Sequence, residues 1–174
     1  MRKYDLLCAV LIAGLAGPAI AQEQGSVDLD GKTVTVKYSA PSMKGRKIFG
    51  AVVPYNQAWK IGETAPAALH TDADLAFYGM MVPKGDYSLY VLVDASKWQL
   101  IVNKQTGPKA LTYNPKLDVG RVTMTMGKAP APIEKCKLTL TKSAAMAAKL
   151  ELSWENTVAT VPFRLDFAAA DREW

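Results

Sequence analysis

The sequence predicts an all-β domain: an antiparallel β-sandwich of jelly-roll or immunoglobulin-like type, or a related open barrel, with little helix. Three observations carry that expectation. From Val27 onward apolar and polar residues alternate in short runs; Gly, Pro and Asp separate the runs; and helix-favouring stretches are few and short. About ten short strands in one domain suit two packed antiparallel sheets.

Taken in order, Lys32–Tyr38 (KTVTVKY) places Val34, Val36 and Tyr38 on one face and Thr33, Thr35 and Lys37 on the other, as a half-buried strand does. Asp86–Val93 (DYSLYVLV) is almost continuously apolar and suits a central strand covered on both faces. The polar turn Asp94-Ala95-Ser96-Lys97 leads into Trp98–Asn103 (WQLIVN), which predicts a hairpin. Gly120–Met126 (GRVTMTM) sets Val122, Met124 and Met126 on one face. Lys135–Thr141 (KCKLTLT) does the same with Cys136, Leu138 and Leu140. Ser143–Lys149 (SAAMAAK) is rich in alanine yet sits between strands, which predicts a helical turn or a long hairpin loop. Lys149–Trp154 (KLELSW) aligns Leu150, Leu152 and Trp154, and Glu155-Asn156 reads as a turn into Thr157–Phe163. Pro162 places that last strand at an edge or near its end. The tail from Arg164 to Trp174 reads as a terminal turn or a frayed end.

The N-terminus predicts export. Arg2 and Lys3 precede an apolar run from Leu6 to Leu15, and Ala19-Ile20-Ala21 forms an A-x-A cleavage site, so residues 1–21 read as a signal peptide cut before Gln22. The apolar run is shorter than the roughly 20 residues of a spanning helix. Cleavage leaves a single domain, residues 22–174, in a periplasmic or secreted location. It also discards Cys8, so Cys136 alone remains and packing, not an intramolecular disulfide, must stabilise the fold.

The chain carries 21 Lys+Arg against 16 Asp+Glu. The lysines are scattered and not gathered into runs, which argues against a nucleic-acid partner. Nucleophilic catalysis finds little support. There is no G-x-S-x-G, and Cys136 alternates inward with leucines, an environment that hides a thiol and raises its pKa. The single histidine, His70, is followed by Asp72 and Asp74; on a strand the three would share a face. A polar solvated strand face explains them better than a metal site, and no cofactor is expected. Met124, Met126 and Cys136 likewise read as core and not as copper ligands.

The segment Lys47–Pro66 is irregular and chemically dense. The motifs Tyr38-Ser39-x-Pro41, Lys44-Gly45-Arg46, Ile48-Phe49-Gly50, Val53-Pro54-Tyr55, Trp59-x-x-Gly62 and Pro83-x-Gly85-x-Tyr87-Ser88-Leu89 run through most of the chain that remains after cleavage. On these residues the sequence resembles the exported bacterial proteins of domain-of-unknown-function family 2911. The resemblance brings no activity with it. Such proteins continue after Trp-x-x-Gly with an Ala-Asn-Glu-Ala-Thr-like run, whereas this chain has Glu63-Thr64-Ala65-Pro66-Ala67. A chemical role of the family's Asn-Glu pair would fall here on Thr64 and Ala65, and Glu63, two positions early, could stand in for its carboxylate only if Pro66 reshapes the loop.

Two readings of this segment stand side by side. In the first, Lys44, Arg46, Tyr55, Trp59, Lys60, Glu63 and Thr64 form a ligand-binding surface, with aromatic faces and cationic donors suited to a glycan, a peptide or an envelope protein. In the second, Ile48, Phe49, Val52, Val53 and Trp59 plug one end of the sandwich, and Lys44 and Arg46 cap carbonyls or pair with Asp86 or Glu63. The resulting functional expectation is a noncatalytic binding or structural protein of the envelope. The alternative is a hydrolase or metal-dependent enzyme with a polar site near Lys44, Arg46, Glu63 and His70.

Overall fold

The computed structural model describes residues 21–166, and the signal-peptide reading, Cys8 and the tail beyond Asp166 lie outside them. Among the described residues eleven strands form two antiparallel sheets. The first sheet holds β1 (Gln22–Leu29), β2 (Lys32–Ser39), β3 (Ala58–Lys60), β4 (Ala67–Thr71), β7 (Gly85–Val93), β8 (Trp98–Asn103) and β9 (Asp118–Thr123). Its order is β1-β2-β4-β7-β8-β9, with β3 also paired to β7. The second runs β10-β11-β5-β6, from β5 (Leu75–Phe77), β6 (Met80–Val82), β10 (Thr125–Ala144) and β11 (Ala147–Leu165). The architecture is the expected β-sandwich, not closed into a barrel. Among the described residues no helix is long and apolar enough to cross a membrane.

The alternation read from the sequence decides which face of each strand meets the core. Val34, Val36 and Tyr38 of β2 are buried with Tyr87, Leu89, Val91 and Val93 of β7, facing Cys136, Leu138, Leu150, Leu152 and Trp154 of the second sheet. The expected hairpin of β7 and β8 is present, in register from Ser88↔Asn103 to Val93↔Trp98. Asp94 closes it: its Oδ1 accepts the N–H of Ser96 at 2.7 Å and of Lys97 at 2.6 Å. β7 is a central strand covered on both faces because Ser88 and Tyr90, which point away from the core, are also buried.

Several elements depart from the sequence reading. The chain does not turn at Glu155-Asn156; β11 runs through both residues. Lys128 pairs with Thr157 and Ile133 with Glu155, so four residues of β10 oppose one of β11 in a wide bulge. That bulge holds Ala129-Pro130-Ala131-Pro132, whose prolines have no N–H for the ladder, and Glu155 absorbs the distortion at φ 53°. Ser143–Lys149 forms neither a helical turn nor a long loop: β10 and β11 continue to Ala144 and Ala147 around the tight turn Ala145-Met146. Hairpin pairing outweighs alanine's helix preference there. The stretch Gly120–Met126 is split at Met124, whose N–H bonds Trp98 O at 2.9 Å while the chain passes from β9 in one sheet to β10 in the other. Met126 consequently lies exposed on the surface instead of sharing the buried side with Val122 and Met124. β1, β3, β5 and β6 carry no distinct sequence signal, and the strand suggested by the spacing of His70, Asp72 and Asp74 is β4, which ends at Thr71. Pro162 lies near the end of β11, between Thr160, paired to β10, and Phe163, paired to β5.

Candidate functional site

The segment Lys44–Pro66 divides into two structures with different duties. Its first part is a plug. Ile48 and Val53 are fully buried, and backbone bonds from Val53 N–H to Ile48 O and from Gly50 N–H to Val53 O, both 2.9 Å, close the chain on itself. Phe49 packs on Trp98 with ring centroids 4.5 Å apart and meets Trp154 edge-on at 6.3 Å; Trp59 lies 5.7 Å from Trp154. Trp59 is half-buried against the core and fixed by β3 pairing with Val91. It is a seal at the end of the sandwich and not an exposed platform.

The charged residues of this part follow the same logic. Arg46 donates from Nε to Met43 O and from Nη2 to Ser42 O, each at 3.0 Å, so its guanidinium caps carbonyls of the loop it belongs to. Lys44 bonds through its backbone N–H to Glu134 Oε1 at 2.9 Å, tying the loop to β10. Neither makes the pairing with Asp86 or Glu63 that the sequence offered as an option. Tyr55 is 41% exposed, and its ring lies over Gly50, where an added Cβ would stand 2.7 Å from Tyr55 Cε2.

The second part, Lys60–Pro66, forms a wall. β3 and β4 pair with consecutive residues of the same strand, Lys60↔Tyr90 and then Ala67↔Leu89, so they are one strand interrupted by a short excursion. Ala67 N–H to Ile61 O, at 2.6 Å, pins its base. Gly62, at φ 149°, permits it: a Cβ there would stand 2.1 Å from Ala65 O. Ser39 holds the excursion against β2. Its Oγ accepts the N–H of Glu63 at 3.0 Å and of Thr64 at 3.2 Å, and it meets Thr64 Oγ1 at 3.3 Å. Lys60 Nζ donates to Thr64 O at 3.0 Å.

That wall borders a concavity of about 590 Å³ on the outer face of the first sheet. Its floor is a row of register partners, Lys37 of β2, Ala68 of β4 and Ser88 of β7, with Asp86 beside them. Thr64, Ala65 and Pro66 form one side, and Thr106, Gly107 and Ala110 the other. Residues 104–117, which include short 3₁₀ helices at Gly107–Leu111 and Pro115–Leu117, lie over β7 and β8. Buried Asn103 anchors them, donating to Asn114 O at 2.9 Å and Asp118 Oδ1 at 2.8 Å and accepting from Gln105 N–H at 2.9 Å. Tyr90 donates its hydroxyl to Ala110 O, and its ring packs 4.9 Å from Tyr113. Tyr113 donates to Asp118 Oδ2 at 2.6 Å; burial and that bond push its pKa up to about 12.

Asp86 links the concavity to His70. On the paired strands β4 and β7, His70 lies directly opposite Asp86, with Nδ1 2.8 Å from Asp86 Oδ1; its Nε2 is 3.1 Å from Asp72 Oδ1. Asp72 is itself held by Thr33 N–H at 3.0 Å. Hydrogen bonds to Asp86, then to Asp72, raise the His70 pKa, and the Thr33 N–H, followed by the His70 bond, lowers that of Asp72. Both ring nitrogens facing carboxylates favour the imidazolium, which has no lone pair for a metal or for a serine proton. Asp74 does not join this cluster as shared strand spacing implied: β4 ends at Thr71, and Asp74 accepts Lys84 N–H at 2.7 Å. Among the described residues no group of three or more His, Cys, Asp and Glu side chains is placed to hold a metal ion.

Of the seven residues singled out from sequence, Thr64 lines the concavity, Lys60 and Glu63 brace its wall, and Lys44, Arg46, Tyr55 and Trp59 lie in or around the plug. Sequence reasoning missed Lys37, Ala68, Asp86 and Ser88 as a group. The only available signal was the polar face of alternating β2, which cannot reveal its neighbours. Comparison with curated proteins and with solved structures returns no match. The family model described as "Protein of unknown function (DUF2911)" matches residues 21–163, and the chain belongs to that family.

Proposed function

We propose that this protein is an exported, noncatalytic binding module whose ligand site is the outer-face concavity beside the Lys60–Pro66 wall. The observation that carries the reading is the concavity itself. Its volume falls in the range of small-ligand sites, its floor is rigid sheet, and both walls are fixed by hydrogen bonds before any ligand arrives. Ser88, Thr64, Thr106 and Gln22 offer hydroxyl and amide groups suited to a glycan or a peptide. Export rests on Arg2, Lys3, the apolar run and Ala19-Ile20-Ala21; mass spectrometry of the secreted protein should find Gln22 first, and an intact Met1 would refute cleavage.

The geometry at His70 supports the noncatalytic reading. A hydrolase using that residue as a base needs a free ring nitrogen, and both are committed to carboxylates. The test is an amide-resolved NMR titration with a panel of neutral, acidic and basic sugars and short peptides, repeated on Ala68→Trp. Ala68 is exposed on the floor, so the indole fills the concavity without entering the core. Shifts at Lys37, Ala68 and Ser88 that disappear in the variant support the proposal. Shifts elsewhere that survive Ala68→Trp contradict it.

A further inference from the structure

The charges lining this concavity are unevenly compensated. Lys37 and Asp86 are its charged side chains, and they differ in what they touch. Asp86 is bonded to His70, which also bonds Asp72, so a protonated imidazole offsets one of these two carboxylate charges and leaves the trio with one negative charge. The Lys37 ammonium makes no hydrogen bond or ion pair among the described residues. Directly across from it stand Gln24 on β1 and Ala68 on β4, both uncharged. A second cation, Lys60, is tethered to the wall at Thr64 O. The site therefore presents one unpaired positive charge on its floor, a carboxylate partly offset by the shared imidazolium two strands across and two residues along, and neutral hydroxyls between and around them.

On the reading that this concavity is the binding site, we infer that its ligand is a hydroxylated carboxylate, the chemistry of a sugar acid, with its carboxylate on Lys37 and its hydroxyls toward Ser88 and Thr106. A monoanion fits because one lysine on the floor is uncompensated; a phosphate dianion would call for a denser set of cations. A hydroxylated body fits because the lining offers hydroxyls and an amide, whereas the rings of Tyr38 and Tyr87 are buried.

The Asp86 contact makes occupancy depend on pH. The groups facing His70 are Asp86 from β7, Asp72 from the turn after β4, and uncharged Thr35 opposite it on β2, with Thr33 and Lys37 at the flanking positions of that strand. When His70 loses its proton, Asp86 and Asp72 lose their shared cation, the trio goes from one negative charge to two, and an anion beside it is disfavoured. Binding is therefore strongest while His70 is protonated and weakens as pH rises through its raised pKa.

The experiment titrates the protein with D-glucuronate, D-glucose and D-glucosamine at low ionic strength, at about pH 5.5 and about pH 9, on either side of the ordinary histidine value. Amide shifts at Lys37, Ala68 and Ser88 are followed. The expected result is glucuronate binding at least about tenfold tighter than glucose at the lower pH, several-fold weaker at the higher. Lys37→Met should lower it about tenfold, and His70→Gln should leave it weak at both pH values. Glucose binding as tightly as glucuronate, glucuronate binding indifferent to Lys37→Met, or no shift with glucuronate would each overturn the inference. Glucose or glucosamine shifts abolished by Ala68→Trp would leave the concavity as the site while removing the acid from it. Glucuronate shifts elsewhere that survive Ala68→Trp would remove both.

Discussion

Trp59 and Trp154 stack across the end of the sandwich, ring centroids 5.7 Å apart and planes inclined by 31°. Trp154 is fully buried and its Nε1 donates to Glu134 O at 3.2 Å, whereas Trp59 is half-buried and closes the stack from the β3 side. Trp154→Ala should therefore cost about 3–5 kcal/mol, the range for deleting a buried large aromatic. Trp59→Ala should cost less, about 2 kcal/mol, because part of its ring already meets water. Urea denaturation of both variants checks the order. A Trp59→Ala protein as stable as wild type would contradict the plug.

Two glycines separate the plug from the wall. Gly50→Ala meets the Tyr55 ring at 2.7 Å, but that ring is exposed and can swing away, so the loss should be about 1 kcal/mol and come mainly from φ 84°. Gly62→Ala meets the Ala65 carbonyl at 2.1 Å, which is backbone and cannot step aside. It should cost about 2–3 kcal/mol and displace the Thr64 wall. Thermal melts would rank the pair; equal losses would show that the excursion tolerates rearrangement.

The His70 bridge gives stability a pH dependence whose sign follows from its direction of shift. The folded-state pKa lies above the ordinary 6.5, so the contribution is complete below that value and is lost as pH rises through the folded pKa. Asp72 works in the opposite sense. Its folded pKa lies below 3.8, so its contribution is present above that value and disappears as pH falls through the folded pKa. Chemical denaturation across pH should show a small advantage of wild type over His70→Gln in mildly acidic solution that fades in alkali. A difference that grows with pH would reverse the assignment. Solvent exposure keeps the effect small.

Cys136 is fully buried, and desolvation pushes its thiol up to about 12. Ellman's reagent should leave it unlabelled in the native protein near pH 8 and label it on addition of guanidinium. Rapid native labelling would mean that β10 opens at this point.

How much of this was legible beforehand depends on the range of the interaction. The faces of β2 and β7 and the β7–β8 hairpin follow from local alternation, because period two and turn chemistry are written in neighbouring residues. The bulge at Glu155 was not legible, since its cause is Ala129–Pro132 on the partner strand. The same holds for the site. Glu63 and Thr64 stood out through their composition and family context, yet the positions that complete the floor, Lys37, Ala68 and Ser88, are joined only by sheet register. Trp59 suits ligand and core equally on sequence alone, and only its contact with the Trp154 ring, on a distant strand, decides for the core.

The segment from Lys44 to Pro66 is a plug up to Trp59 and, beyond it, the wall of the proposed ligand site. The most direct measurement compares Ala68→Trp with wild type for melting temperature and for amide shifts with the ligand panel. Ala68→Trp should melt at the wild-type temperature and lose the shifts at Lys37 and Ser88. Binding that persists in Ala68→Trp, with its shifts centred on Tyr55 and Trp59, would contradict it.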